Sequence, residues 1–175
     1  MQTYICLLKG INVGGNNRIK MDDLKALFHS LSLENPRTYI QSGNIAFETP
    51  HNATYLQEII HQGIKNAFSL TIHSILRTKQ EWNNIIENSP YKDIHKINHL
   101  HLTLLEDTPT KEAINEVNQI NGFNDEYKIL GKEFYLVCDL KYSDTKFSNT
   151  FIEKTFKTKA TTRNWKTVLA IQQLF

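Results

Sequence analysis

RTYIQSGNIAFE, residues 37–48, is two strand-like runs divided by a turn, and its reading decides the fold. Residues 37–41 and 45–48 are rich in residue types that favour strands. Gly43 and Asn44 between them tolerate positive φ and predict a tight hairpin. Working outward, each side of the hairpin carries a helical stripe and then another strand. On the N-terminal side Met21, Leu24, Leu27, Phe28 and Leu31 fall on one helix face, preceded by an apolar run at 3–8. On the C-terminal side Leu56, Ile59, Ile60, Ile64 and Ala67 form the second stripe, followed by a strand at 71–76. The first half therefore reads β-α-β-β-α-β.

The second half repeats that order after a bridging helix at 79–88, which Ser89-Pro90 stops. Leu100, Leu102 and Leu104 alternate as a strand, and 110–120 is helical. Strands at 127–130 and 134–137 meet across Gly131-Lys132-Glu133. A helix at 145–157, a short strand at 159–162 and a last helix bearing Trp165, Val168, Leu169, Gln172 and Phe175 complete the chain. The predicted class is α+β: two tandem ferredoxin-like (βαββαβ) repeats packed as one body, with a bridging helix and a C-terminal helix. The expected boundaries are 1–78, 79–97, 98–162 and 163–175. Parallel first and second strands would bring the loop after strand one beside the hairpin after strand two.

Composition excludes several classes. Apolar content of 40% and charged content of 22% are those of a globular chain, not a disordered one. The net charge of +2 is too small to argue nucleic acid unaided, so an anionic partner must meet a local patch. Cys6 and Cys138 sit in strand-like runs and read as buried reduced thiols. With no signal-peptide pattern and no apolar run long enough for a membrane span, a cytoplasmic protein is expected.

Four polar segments stand out. KGINVGGNNRIK, residues 9–20, follows a strand and leads into a helix. Gly10, Gly14 and Gly15 can free backbone N–H groups for a concave nest, Asn12 adds an amide, and Lys9, Arg18 and Lys20 supply positive charge. Asn16-Asn17 stand where a Walker A loop requires Lys and then Ser or Thr, so that motif is absent. A surface loop with solvated charges explains the segment equally well. Gln41, Ser42 and Asn44 of the hairpin offer donors at the same sheet edge, or form a plain turn.

The other two segments lie near the C-terminus. In TKFSNTFIEK, residues 145–154, Lys146, Asn149 and Glu153 share one helix face, with Phe147, Phe151 and Ile152 on the other. Lys146 and Glu153 are the catalytic candidates there, as anion stabiliser and base; a solvated helix face is the simpler account. In TTRNWK, residues 161–166, Thr162 or Asn164 can cap the last helix, and Arg163 offers a bidentate fork. His99 and His101 share a strand face with His95 nearby, too few legible ligands for a metal, so no metal or cofactor is expected.

Taken together, LLKGINVGGNNRIKM, RTYIQSGNIAF, TKFSNTFIEK and ATTRNWKTVLAI resemble, in order and spacing, the bacterial DUF1697 family of unknown function. Members commonly carry Arg in place of Lys9, Ser in place of Thr145, and a glycine-rich turn in place of Lys141-Tyr142-Ser143-Asp144. The resemblance implies a duplicated ferredoxin-like fold and no particular activity. The expected function is binding of a phosphate-bearing ligand, a nucleotide or RNA segment, by the Gly-rich basic loop with Arg163 and its neighbours. The alternatives are an enzyme on such a substrate and a protein-interaction module, the latter requiring an exposed apolar patch beside the loop. For RNA, Tyr39 and Phe47 are the nearest candidates for sheet-face stacking.

Overall fold

The computed structural model describes residues 1–91, 97–120 and 124–175. The chain divides into two compact units, Met1–Asn84 with Ala170–Phe175, and Ile85–Leu169. Among the described residues there are six α-helices and two four-stranded antiparallel sheets.

The first unit runs β1 (Gln2–Leu8), α1 (Met21–Ser30), β2 (Glu34–Tyr39), β3 (Asn44–Thr49), α2 (Ala53–Phe68) and β4 (Ser74–Thr78). Its sheet order is β2-β3-β1-β4, with every neighbouring pair antiparallel. Period-two alternation sends Tyr4, Cys6 and Leu8 of β1 into one core with Leu24 and Phe28 of α1 and Leu56, Ile60 and Ile64 of α2. Each buried Leu, Ile or Phe among them contributes about 1.5–3 kcal/mol. Phe47 belongs to this core, fully buried and edge-on to Phe28 at 5.2 Å. It is therefore not an exposed stacking platform for RNA.

Local chemistry moved two boundaries. Strand β2 ends at Tyr39, because Ile40 takes a positive φ of 48° and starts a four-residue turn that closes where Tyr39 pairs Asn44. The hairpin turn is thus Ile40-Gln41-Ser42-Gly43, and Asn44 already belongs to β3. Gly43 is required there: its φ is 76°, and a Cβ would stand 2.8 Å from the Leu8 Cβ. Near the start of β2 the register shifts between Glu34 and Arg37, where Asn35 also has positive φ.

Helix α3 (Lys79–Glu87) opens on a reciprocal capping box. Thr78 N donates to Glu81 Oε2 at 2.7 Å, and Glu81 N donates to Thr78 Oγ1 at 3.1 Å.

The second unit contains β5 (Leu100–Leu105), α4 (Lys111–Asn118), β6 (Glu126–Leu130), β7 (Glu133–Val137), α5 (Asn149–Phe156) and β8 (Ala160–Asn164). Helix α6 (Trp165–Gln172) follows directly. The sheet order is β6-β7-β5-β8, again antiparallel throughout. Val117, Phe134, Leu136, Phe147, Ile152 and Phe156 form its core. Thr110 caps α4 by accepting from Ala113 N at 3.2 Å. The β6-β7 turn is two residues, Gly131-Lys132, since Leu130 pairs Glu133.

Helix α5 starts later than its sequence periodicity predicts. Ser148 is its N-cap and accepts from Phe151 N at 3.3 Å, while Phe147 N donates to Thr145 Oγ1 at 3.1 Å. Lys146 consequently precedes the helix and does not share a face with Asn149 and Glu153. His99 likewise lies in a 3-10 turn, Ile97–His99, ahead of β5 rather than on the strand with His101. His95 lies outside the described residues.

Candidate functional site

The loop after β1 is built on one side chain. Asn12, at φ 54°, donates through Nδ2 to Ile19 O at 2.9 Å and to Gln41 O at 2.8 Å. Its Oδ1 accepts from Ile19 N at 2.9 Å. These bonds hold the loop closed and fasten it to the β2-β3 hairpin, so the two segments are neighbours as the strand order predicts. Leu8 N donating to Gly43 O at 2.8 Å adds a main-chain link at the same edge.

The glycines serve this closure. Val13 and Asn16 form an isolated antiparallel bridge, with Gly14 and Gly15 between them at φ 58° and 81°. Positive φ at both central residues is the signature of a type I′ turn. Asn17 Nδ2 donates to Gly10 O at 3.0 Å and ties down the return. The loop is a small folded hairpin rather than an open string of amides.

Folding the loop this way opens a cleft of about 850 Å³ at the start of α1. Asn12, Gly15, Arg18 and Gln41 line it, together with Lys20. Met21, Ile19 and Phe68 give it an apolar wall, and Asp22 and Asp23 close it with carboxylates. Asp22 is paired with Lys25 at 2.8 Å, which holds its carboxyl below the usual range. The side chains of Arg18, Lys20, Asp23 and Gln41 have no hydrogen-bond or ion-pair partner among the described residues.

Other residues of the predicted set do not line this cleft. Lys9 N donates to His73 O at 2.9 Å, in line with the main chain of the sheet edge. Asn44 is buried and donates through Nδ2 to Tyr39 O at 3.0 Å and Ser42 Oγ at 2.9 Å, so both polar side chains brace the turn. Gly10 and Gly14 shape the loop. Asp22, Asp23 and Phe68 were not legible as site residues, because acids in a first helical turn read as partners of the helix dipole.

In the second unit the polar motifs are bonded to one another. Thr162 Oγ1 lies 2.7 Å from Thr103 Oγ1, donates to Asn149 Oδ1 at 2.8 Å and accepts from Tyr142 OH at 3.1 Å. Arg163 Nη1 donates to Thr161 Oγ1 and to Thr162 O, both at 2.9 Å. Asn164 Oδ1 accepts from Thr167 N at 2.8 Å and caps α6. Glu153 Oε1 accepts from Ala160 N at 2.9 Å, which joins α5 to the first residue of β8. Lys146 lines a separate cleft of about 250 Å³ with Lys141 and with Asp125, Asp139 and Asp144, where carboxylates outnumber the lysines.

The imidazoles are tied to backbone as well. His99 Nδ1 lies 2.8 Å from Cys138 O, and His101 Nδ1 lies 3.0 Å from His99 O. His101 also stacks on Tyr142 at 4.7 Å, and burial lowers its pKa. Cys138 Sγ is 3.8 Å from His101 Nδ1, but burial and then the Asp125 charge push its thiol up to about 12. A thiol held protonated is a poor nucleophile. Among the described residues no group of three or more His, Cys, Asp and Glu is placed to hold a metal, and no helix is long and apolar enough to cross a membrane.

The model for the family described as protein of unknown function (DUF1697) matches residues 1–135, well over half of the 175. The chain belongs to the DUF1697 family. The match takes in the whole Gly-rich loop and the hairpin of this DUF1697 chain; residues 145–164 lie beyond it. Among solved structures, the conserved bacterial protein SP0830 from Streptococcus pneumoniae is similar, with a TM-score of 0.82 and 23% identity. The likeness covers 99% of this chain and 98% of that one, and it bears on fold alone. No curated protein matches.

Proposed function

We propose that the chain binds a small phosphate-bearing ligand of nucleotide type in the cleft beside α1. The observation that carries this reading is the convergence of the exposed side chains of Arg18, Lys20 and Gln41, none with a side-chain partner among the described residues, on one cleft that Asn12 fastens to the hairpin. Two cations provide for a phosphate. Gln41 supplies an amide, and Met21 and Phe68 supply an apolar wall for a flat ring. Asp22 and Asp23 in the same cleft favour a small ligand over a run of RNA backbone. Binding ranks above catalysis because Glu153, the candidate base, is bonded to Ala160 N.

Each unit is, in our reading, a ferredoxin-like repeat, and the chain a duplication. The same element order and the same strand order in both sheets support it. A reducing compartment is supported by the buried thiols of Cys6 and Cys138.

One observation favours a second reading, an interaction module. Val13 and Ile40, 62% and 51% exposed, flank the Asn12–Gln41 contact. Isothermal titration with adenosine monophosphate separates the two. The ligand reading expects salt-sensitive binding that Arg18→Ala weakens about tenfold or more, the scale of a charge-assisted hydrogen bond. Absence of binding, or binding indifferent to Arg18→Ala, would transfer the cleft's edge to the interaction reading.

A further inference from the structure

Resting on the phosphate reading, we infer that the ligand of this cleft is a phosphate monoester whose other end carries hydroxyl or amino donors, and that Asp23 reads those donors. The charges bordering the cleft do not act equally. Asp22 and Lys25 are paired at 2.8 Å and largely cancel. Arg18, Lys20 and Asp23 remain, three charged side chains with no partner among the described residues. A lining of two cations and one carboxylate is matched by a ligand of two characters, an anionic group at one end and donors at the other.

The position of Asp23 orders these ends. Asp22 and Asp23 occupy the first turn of α1, so the positive end of the helix dipole already faces carboxylates. A phosphate placed there would meet Asp23, and it is instead directed to Arg18 and Lys20 on the preceding loop. A triphosphate extends more negative charge through the same cleft and crowds Asp23, whereas a monoester satisfies the cations and leaves the carboxylate to accept from a hydroxyl or amine. Gln41, across the cleft on the hairpin, presents an amide to either part.

A competing account is that Asp23 only stabilises α1 through the dipole. The two accounts separate in calorimetric titrations of wild type and Asp23→Asn with adenosine monophosphate, adenosine triphosphate without divalent metal, and inorganic phosphate. The expected order in wild type is the monophosphate tightest. Asp23→Asn should weaken the monophosphate about tenfold, tighten the triphosphate and leave inorganic phosphate unweakened. Wild type preferring the triphosphate, or Asp23→Asn shifting all probes alike or none of them, would overturn the inference while the phosphate site stands. A lower melting temperature in Asp23→Asn with the preference intact would assign Asp23 to the helix alone and overturn it too. No binding by any of the three probes would remove the phosphate reading itself, and this inference with it.

Discussion

The loop of the first unit and the C-terminal motifs of the second are both polar in sequence, yet they use their polar groups in opposite ways. Around Thr162, hydroxyls and amides answer one another: Tyr142, Thr103 and Asn149 all meet its Oγ1 within 3.1 Å. Around Asn12, the amide and the main chain make the internal bonds, and the cations and Gln41 are left facing a cleft. Polar residues bonded inside the fold define a structure; exposed polar side chains gathered on one cleft without internal partners are available to a ligand. Type and spacing alone do not tell these cases apart.

Perturbing the scaffold beneath the cleft should have the largest effect. Gly43→Ala adds a Cβ 2.8 Å from the Leu8 Cβ at a φ of 76°, and should cost about 3 kcal/mol, read as a lower denaturant midpoint with unchanged slope. A cost under about 1 kcal/mol would mean that the turn is not rigidly held and that the cleft lacks a rigid frame.

Thr162→Val keeps the shape and removes the hydroxyl shared by three partners, with an expected loss of about 1–3 kcal/mol in thermal unfolding. Arg18→Ala, with an exposed side chain and no internal partner, should change stability by less than about 0.5 kcal/mol. Equal costs for the two variants would erase the distinction between a structural and a ligand-facing segment.

The smallest effect is a pH dependence in the second unit. Burial lowers the pKa of His101 from its ordinary 6.5, so the folded state disfavours the proton that the unfolded chain accepts. The stability linked to His101 is therefore present above pH 6.5 and is lost as pH falls toward the folded value. Melting temperature should drop between about pH 7.5 and about pH 5.5, and His101→Phe, which keeps a ring against Tyr142, should flatten that drop. A slope unchanged in His101→Phe would place the titration elsewhere.

Much of the fold was legible because alternation and helical stripes reflect burial, and both halves carry them in the same order. What was not legible depended on single backbone conformations. Ile40 has a strand-forming side chain yet sits at positive φ, which shortens β2 and moves the turn. Ser148 as N-cap delays α5 and separates Lys146 from Asn149 and Glu153, a change decided by one hydroxyl. Within the cleft, Asn12, Gly15, Arg18 and Gln41 were readable, since strand order alone places loop beside hairpin. Phe68 was not, because only the packing of α2 brings its last residue to the loop.

In the proposed function the first unit's cleft, and not the second unit's polar motifs, receives a ligand. Backbone amide chemical shifts, recorded by NMR during titration with adenosine monophosphate, separate the two units residue by residue. Progressive, saturable shifts are expected at residues 12–23, Gln41 and Phe68, needing about tenfold more ligand in Arg18→Ala, with residues 145–164 unmoved. Shifts centred on residues 145–164, or none at all, would contradict it.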